Sequence, residues 1–262
     1  MRALFTASTG MAAQELSVQV ISNNIANMQT TGFKRQRAAF QDLIYEHVQR
    51  VGAQASTQGT ILPVGVDIGG GVQTVGTPRS MSQGTLLQTS NTLDVAINGD
   101  GFFKIQMPDG TFQYTRDGTF QMDATGRIVN AQGNPVQPTI TIPNNSSQIT
   151  INSQGQVSVV PPGTTTPSTI GQIGLTRFIN QAGLQPVGNN NYIDTPASGA
   201  PQDGLATIDG FGSMTQGSLE QSNVDVVTEI SNLIGAQRAY EMNAKVITAA
   251  DQMMQSTTQM FS

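Results

Sequence analysis

Few residues in this chain have the chemistry to react. His47 is the only histidine, and cysteine and tryptophan are absent. A hydrolytic site would need that histidine beside a nucleophile and a carboxylate. Nothing around His47 supplies a nucleophile elbow, and no second histidine stands at metal-ligand spacing. His47 therefore reads as a surface or interface residue. Asp100, Asp109, Asp117 and Asp123 recur among turn glycines, which raises calcium. They match neither an EF-hand loop nor a nonapeptide calcium repeat, and hairpin turns select Asp-Gly for backbone conformation alone. Gly69-Gly70-Gly71 lacks the Lys-Ser/Thr ending of a phosphate loop. The reading is no enzyme, no metal and no cofactor.

The elements behind these residues are more telling. The two ends of the chain are helical in pattern and the middle is not. Positions 4, 7, 11, 14, 18, 21 and 25 read Leu4, Ala7, Met11, Gln14, Val18, Ile21 and Ile25, alternating three and four apart. Ser22-Asn23-Asn24 interrupts the row, and Gly32 suits a helix stop or turn. Near the other end the same alternation runs through Val226, Ile230, Leu233, Gln237, Tyr240, Ala244, Ile247, Asp251, Met254, Thr258 and Phe261. Ser222 with Asp225 offers the capping pair for that helix. Gln237 and Asp251 are flaws in the stripe: they pin register, they face a neighbour, or the true seam lies one residue away. Helices with one apolar stripe are not stable alone in water, so these two pair with each other or with other copies.

Between them, residues 51–80 are Gly-rich, with alternating Val64, Val66 and Ile68 suggesting an extended hairpin. From Leu93 onward, short alternating runs end at Asn98-Gly99, Asp109-Gly110, Asp117-Gly118 and Gly126, the pattern of successive antiparallel strands. Phe102, Tyr114 and Tyr192 fall on strand periodicity and read as core aromatics. The expected architecture is discontinuous terminal helices forming a coiled-coil-like pair, an all-β middle domain, and an extended Gly-rich linker or hairpin. The expected division is 1–32 with 224–262, then 33–92 with 214–223, then 93–213.

Only 11% of residues are charged, against about a quarter in a typical globular protein. Amides and hydroxyls take their place, and such surfaces are buried against neighbours at less desolvation cost. A net charge of −5 gives no case for nucleic acid. No window approaches the apolar length of a membrane span, and Arg2 is not followed by a signal-peptide core.

Three stretches then carry a resemblance. Leu16 to Asn27 followed by Thr30-Thr31-Gly32-Phe33-Lys34, the run Gly217 to Asp225 with Ala236-Gln237-Arg238-Ala239-Tyr240-Glu241, and Asn98-Gly99-Asp100-Gly101-Phe102-Phe103 with Tyr114-Thr115-Arg116-Asp117-Gly118 are similar to the bacterial flagellar rod and hook proteins. Within that family the segment Ile61 to Val72 resembles the distal rod member. A proximal member of similar size is the alternative, and a β-rich surface adhesin is the alternative from another class. The resemblance implies a subunit that polymerises with itself into a rigid hollow shaft, transmits torque to the hook and encloses an export channel. It implies other rod proteins, the hook protein, ring proteins and the type III flagellar export apparatus as partners. It places the exported chain in the basal body, across the periplasm to the outer membrane. The expected assembly residues are Leu4, Met11, Val18, Ile21, Ile25, Ile230, Leu233, Tyr240, Ile247 and Met254. The rod-specific linker residues are Leu62, Pro63, Val64, Gly65, Val66, Gly69 and Gly70.

Overall fold

The computed structural model describes residues 2–51, 64–143, 146, 148–161, 163 and 166–260. Leu62, Pro63 and Phe261, singled out above, lie outside them. The chain divides into two units. One holds residues 1–25, 36–78 and 225–262; the other holds 26–35 and 79–224. The stretch 33–92, expected as a linker, is shared between them.

The first unit is built on two helices, α1 (Arg2–Ala26) and α2 (Val226–Met260). Asp225 caps α2, its carboxylate accepting the Thr228 N–H at 2.7 Å. Ser222, the expected cap, stands four residues before the first helical turn and accepts instead from the Val224 N–H. Ser22-Asn23-Asn24 does not break α1, because Asn24 turns inward and finds partners there.

The helices approach each other at two points. Asn24 Nδ2 donates to Glu229 Oε2 at 3.1 Å, and a Cβ placed on Gly10 would lie 2.9 Å from the Asn243 side chain. Fourteen residues separate these points on each helix (24 to 10, and 229 to 243), so the pair runs antiparallel in constant register over about 21 Å. The most buried positions on α1 are Ala7, Ala13, Val20 and Asn24, and on α2 Glu229, Ala236 and Ala250. On the same register Arg2 stands level with Asp251. Beyond that level α1 offers α2 no partner, and every residue from 251 to 260 is exposed.

The rest of the first unit is a two-stranded ribbon. Ala39–Asp42 pairs antiparallel with Val72–Gly76, and Tyr45–Gln49 pairs with Val66–Gly69. Leu43 N to Gly71 O (2.8 Å) and Gly70 N to Ile44 O (3.1 Å) join the two stretches into one ribbon. Its base is held to α1 by Val72 N donating to Thr9 Oγ1 at 3.3 Å and by Arg2 to Glu46 at 2.6 Å.

The second unit is β-rich. Its largest sheet runs, in spatial order, Val136–Gln137, Phe103–Gln106, Phe112–Thr115, Asn191–Ile193 and Gln185–Gly188. A three-stranded sheet of Gln148–Ile151, Gln156–Val160 and Ser168–Gln172 and several strand pairs complete it. Adjacent side chains on a strand face opposite ways. Phe103 accordingly enters a large aliphatic core with Val95, Ile97 and Phe120, while Phe102 enters a smaller aromatic core with Tyr114, Phe178, Leu184 and Tyr192. Those rings meet edge to face, with Tyr114 and Phe178 centroids 4.8 Å apart. The aromatics that an adhesin would present in a groove are thus packed inside.

The turns use their carboxylates locally. Asp109, Asp117 and Asp123 each accept from the backbone N–H and hydroxyl of the threonine two positions on. Gly118 is present for a reason other than φ: a Cβ there would run into the Val95 carbonyl.

The aromatic core sets an alkaline limit. Burial, then the charges of Asp194 and Asp203, pushes the Tyr114 hydroxyl up to about 12, and burial also raises Tyr192. Unfolded tyrosines ionise near 10. The folded state therefore keeps a proton that the unfolded state has lost, and stability that is complete below pH 10 is lost as pH rises through 12. Tyr114 alone accounts for about 2–3 kcal/mol of that loss. Lys34, pulled below its usual value chiefly by burial, acts with the opposite sign, but its gain is complete by about pH 10.5. Urea denaturation from pH 9 to 12, with tyrosinate absorbance followed in parallel, is expected to show the midpoint falling above pH 10.5. In Tyr114→Phe the fall is expected to be shallower; an unchanged slope would rule out this assignment.

Candidate assembly interface

Two buried polar nodes tie the ends of the chain together, one within each unit. The first lies in the β-rich unit and gathers residues 30–35, 80–85 and 218–223. Lys34 Nζ donates to Glu220 Oε1 at 2.6 Å and to the Ser82 carbonyl at 2.8 Å. The same Glu220 oxygen accepts the Gly84 N–H at 2.9 Å. Arg116 Nη1 donates to the Gly99 carbonyl at 2.8 Å and lies 3.5 Å from Glu220 Oε2. The Lys34, Glu220 and Arg116 side chains are 1%, 0% and 2% exposed, so two cations share one carboxylate away from water. Backbone bonds knit the same segments: Gly32 N to Glu220 O (2.8 Å), Ser80 N to Arg35 O (2.8 Å) and Gln221 N to Thr85 O (2.9 Å). Asn223 completes the clasp, accepting from Arg35 N and donating to the Ser80 and Ser82 carbonyls.

The second node is in the helical unit. Asn24 donates to Gln36 O at 2.8 Å and to Glu229, and accepts from Gln36 N at 2.9 Å. Asn24 and Glu229 are each 1% exposed. A buried polar pair joining the last turn of α1 to the first turn of α2 fixes register, since a slip would strand both groups.

The helix residues singled out from the sequence flank this seam. Leu4, Met11, Val18, Ile21 and Ile25 are half-buried, as are Leu233 and Ile247. Ile230, Tyr240 and Met254 are exposed. The buried side chains of α2, Glu229, Ala236 and Ala250, stand one residue before the expected positions 230, 237 and 251, while Asn243 and Ala244 are both half-buried. Gln237 and Asp251 are consequently on the solvent side. Of the linker residues, Val64 and Val66 are exposed and Gly65, Gly69 and Gly70 are half-buried. Ile44, Val48, Val64, Val66 and Ile68 give the ribbon an apolar surface open to solvent. A two-stranded ribbon alone is marginal in water, so this one suits a surface completed by a partner.

His47 lies on the ribbon with its Nδ1 2.6 Å from Asp67, both side chains open to water. Among the described residues no group of three or more His, Cys, Asp or Glu side chains is placed to hold a metal ion, and no helix is long and apolar enough to cross a membrane. Sequence reasoning missed both nodes. The available signal was chemical: in a chain so poor in charge, Lys34 and Glu220 stand in short runs near opposite ends.

Comparison with known proteins agrees along the whole chain. Residues 4–34 match the family described as flagella basal body rod protein, residues 96–159 the flagellar hook protein FlgE/F/G D1 domain, and residues 215–260 the flagellar basal body rod FlgEFG protein C-terminal region. The chain is 52% identical to the flagellar basal-body rod protein FlgG of Caulobacter vibrioides, over all of both chains. It is 46% identical to the FlgG of Buchnera aphidicola from Acyrthosiphon pisum, over 98% of each. Identity to the FlgF rod protein of Caulobacter vibrioides is 34%, over 98% of this chain and 96% of that one.

Proposed function

We infer the chain's job from its kinship: it belongs to the FlgG family of flagellar basal-body rod proteins, and it is a structural subunit of the flagellar rod, not an enzyme. The observation that carries this is end-to-end similarity to FlgG proteins at identities well above that to FlgF. The place of the subunit is the distal rod, where copies stack helically into a rigid hollow shaft that carries torque to the hook. The terminal helices line the channel and the β-rich unit forms the outer layer. Other rod proteins, the hook protein and the surrounding rings are its neighbours. The type III flagellar export apparatus delivers it across the periplasm towards the outer membrane.

Three features support that assignment. The overhang of α2 is exposed and uncharged from Gln252 to Met260, with Met253, Met254 and Met260 open to solvent. The adaptable thioether suits packing against several non-identical neighbours. Leu4, Met11, Val18, Ile21 and Ile25 on α1, with Ile230, Leu233, Tyr240, Ile247 and Met254 on α2, are the contact residues between copies. The ribbon, with Val64, Gly65, Val66, Gly69 and Gly70, lies along adjoining subunits and stiffens the shaft, and Leu62 and Pro63 belong to the same rod-specific sequence.

Electron microscopy of purified protein at rising concentration tests this. Full-length chain is expected to form straight hollow filaments. A chain ending at Ala250 is expected to form none, while its β-rich unit unfolds at an unchanged temperature. Filaments from the shortened chain would exclude the overhang from assembly; a monomeric full-length chain would overturn self-polymerisation.

A further inference from the structure

The β-rich unit has an open cavity of about 370 Å³ whose lining includes Phe112, Pro138, Gly174, Gly204 and Leu205. Lys104 and Asp203 stand on its rim and neutralise each other at 2.7 Å, and the Lys104 ammonium also covers the Phe112 ring at 4.5 Å. With Gln137 and Thr176 as its other polar side chains, the cavity offers a visitor a mainly apolar lining with no net charge. Phe112 and Leu205 remain 39% and 41% exposed.

The same unit carries a projecting side chain of matching character. Ile179 is 81% exposed. Its position is held firmly. Phe178 before it is buried in the aromatic core. Asn180 after it is latched to the facing loop, N to Ser198 O at 3.2 Å and Nδ2 to Ala197 O at 2.9 Å. Thr195 Oγ1 closes that loop onto the Gly183 carbonyl at 2.6 Å. A fixed aliphatic side chain loses little entropy on docking, which is what an interface anchor requires.

We propose that Ile179 of one copy inserts into the Phe112–Pro138–Leu205 cavity of a second copy, forming a repeating contact between β-rich units. A charged partner would have to break the Lys104–Asp203 pair, whereas Ile179 and its uncharged neighbours Asn180 and Gln181 would leave it intact. Knob and hole are different surfaces of one chain, so the contact is heterologous and propagates without closing on itself. The proposal rests on the rod reading, because only an open polymer uses such a contact repeatedly.

The chain has no cysteine, which makes crosslinking clean. Ile179→Cys and Leu205→Cys are made singly and together, and treated with a short bifunctional maleimide at concentrations that give filaments. The double variant is expected to give a ladder of covalent oligomers. Each single variant is expected to stay monomeric, and the two mixed are expected to give dimers and nothing longer. Ile179→Asp is expected to slow filament growth about tenfold, with no change in the unfolding temperature of the β-rich unit because the site is exposed. Filaments without a ladder would overturn this contact and leave the rod reading standing. Neither filaments nor ladder would overturn both. Dimers from a single variant would show a symmetric contact and sink the heterologous one.

Discussion

Replacing Glu220 by Ala is expected to destabilise the β-rich unit by about 3–5 kcal/mol, the loss typical of removing one partner from a buried ion pair. The reason is what stays behind. Lys34 and Arg116 would both remain in the interior with no carboxylate, and the Gly84 N–H would lose its acceptor. Lys34 already sits below its ordinary pKa because burial penalises the ammonium and Glu220 restores only part of it. Glu220→Gln keeps the shape and an acceptor for Gly84, so an intermediate loss is expected. Converting Lys34 and Glu220 together to Met and Leu should recover part of the stability, since one of the two stranded cations is then removed, while Arg116 keeps only the Gly99 carbonyl. Urea denaturation followed by circular dichroism measures all three. A Glu220→Ala variant within 1 kcal/mol of the parent would show that the clasp is dispensable.

Replacing Asn24 by Ala is expected to cost about 2–4 kcal/mol in the helical unit, from the donors and acceptors it leaves unmet. Its amide serves Gln36 N, Gln36 O and Glu229 together, all away from solvent. Without it the seam retains small apolar residues that specify spacing but not level. Loss of helical signal at lower temperature is one readout. The other is positional: a disulfide engineered between residues 10 and 243 should form quickly in the parent and slowly in Asn24→Ala. Equal rates would mean that packing alone sets the register.

Much of this architecture could be read before any coordinates. The terminal helices follow from apolar positions three and four apart, and the strand turns follow from Asp-Gly and Asn-Gly. At 230, 237 and 251 the expected α2 row stands one residue past the buried side chains Glu229, Ala236 and Ala250, for a definable reason. Periodicity weights large apolar side chains, and Ile230 and Met254 drew the stripe towards themselves. The buried side chains are small: Ala7, which the stripe included, and Ala13, Ala236 and Ala250, which it did not. Gln237 and Asp251 then cease to be flaws. The Ser222 cap was misjudged similarly, since Asp225 is both the residue at the right place and the better acceptor. For the clasp the sequence offered only the scarcity of charge against which Lys34 and Glu220 stand out, and nothing that paired them. Lys34 and Glu220 are 186 positions apart, and no local pattern relates two residues at that distance. Their burial is what makes them matter, and burial of a charge is the last thing a sequence announces.

That separation has a consequence for how the chain is made. Asn24 and Glu229 are 205 positions apart, so neither node can close until the last sixth of the polypeptide has arrived. A product of premature termination would hold Lys34 and Arg116 against a missing carboxylate, and α1 without its mate. Such a fragment lacks the very bonds that make the fold pay, and proteases would find it open. The molecule in effect proofreads its own length: only a chain that reaches past Glu229 can close both nodes.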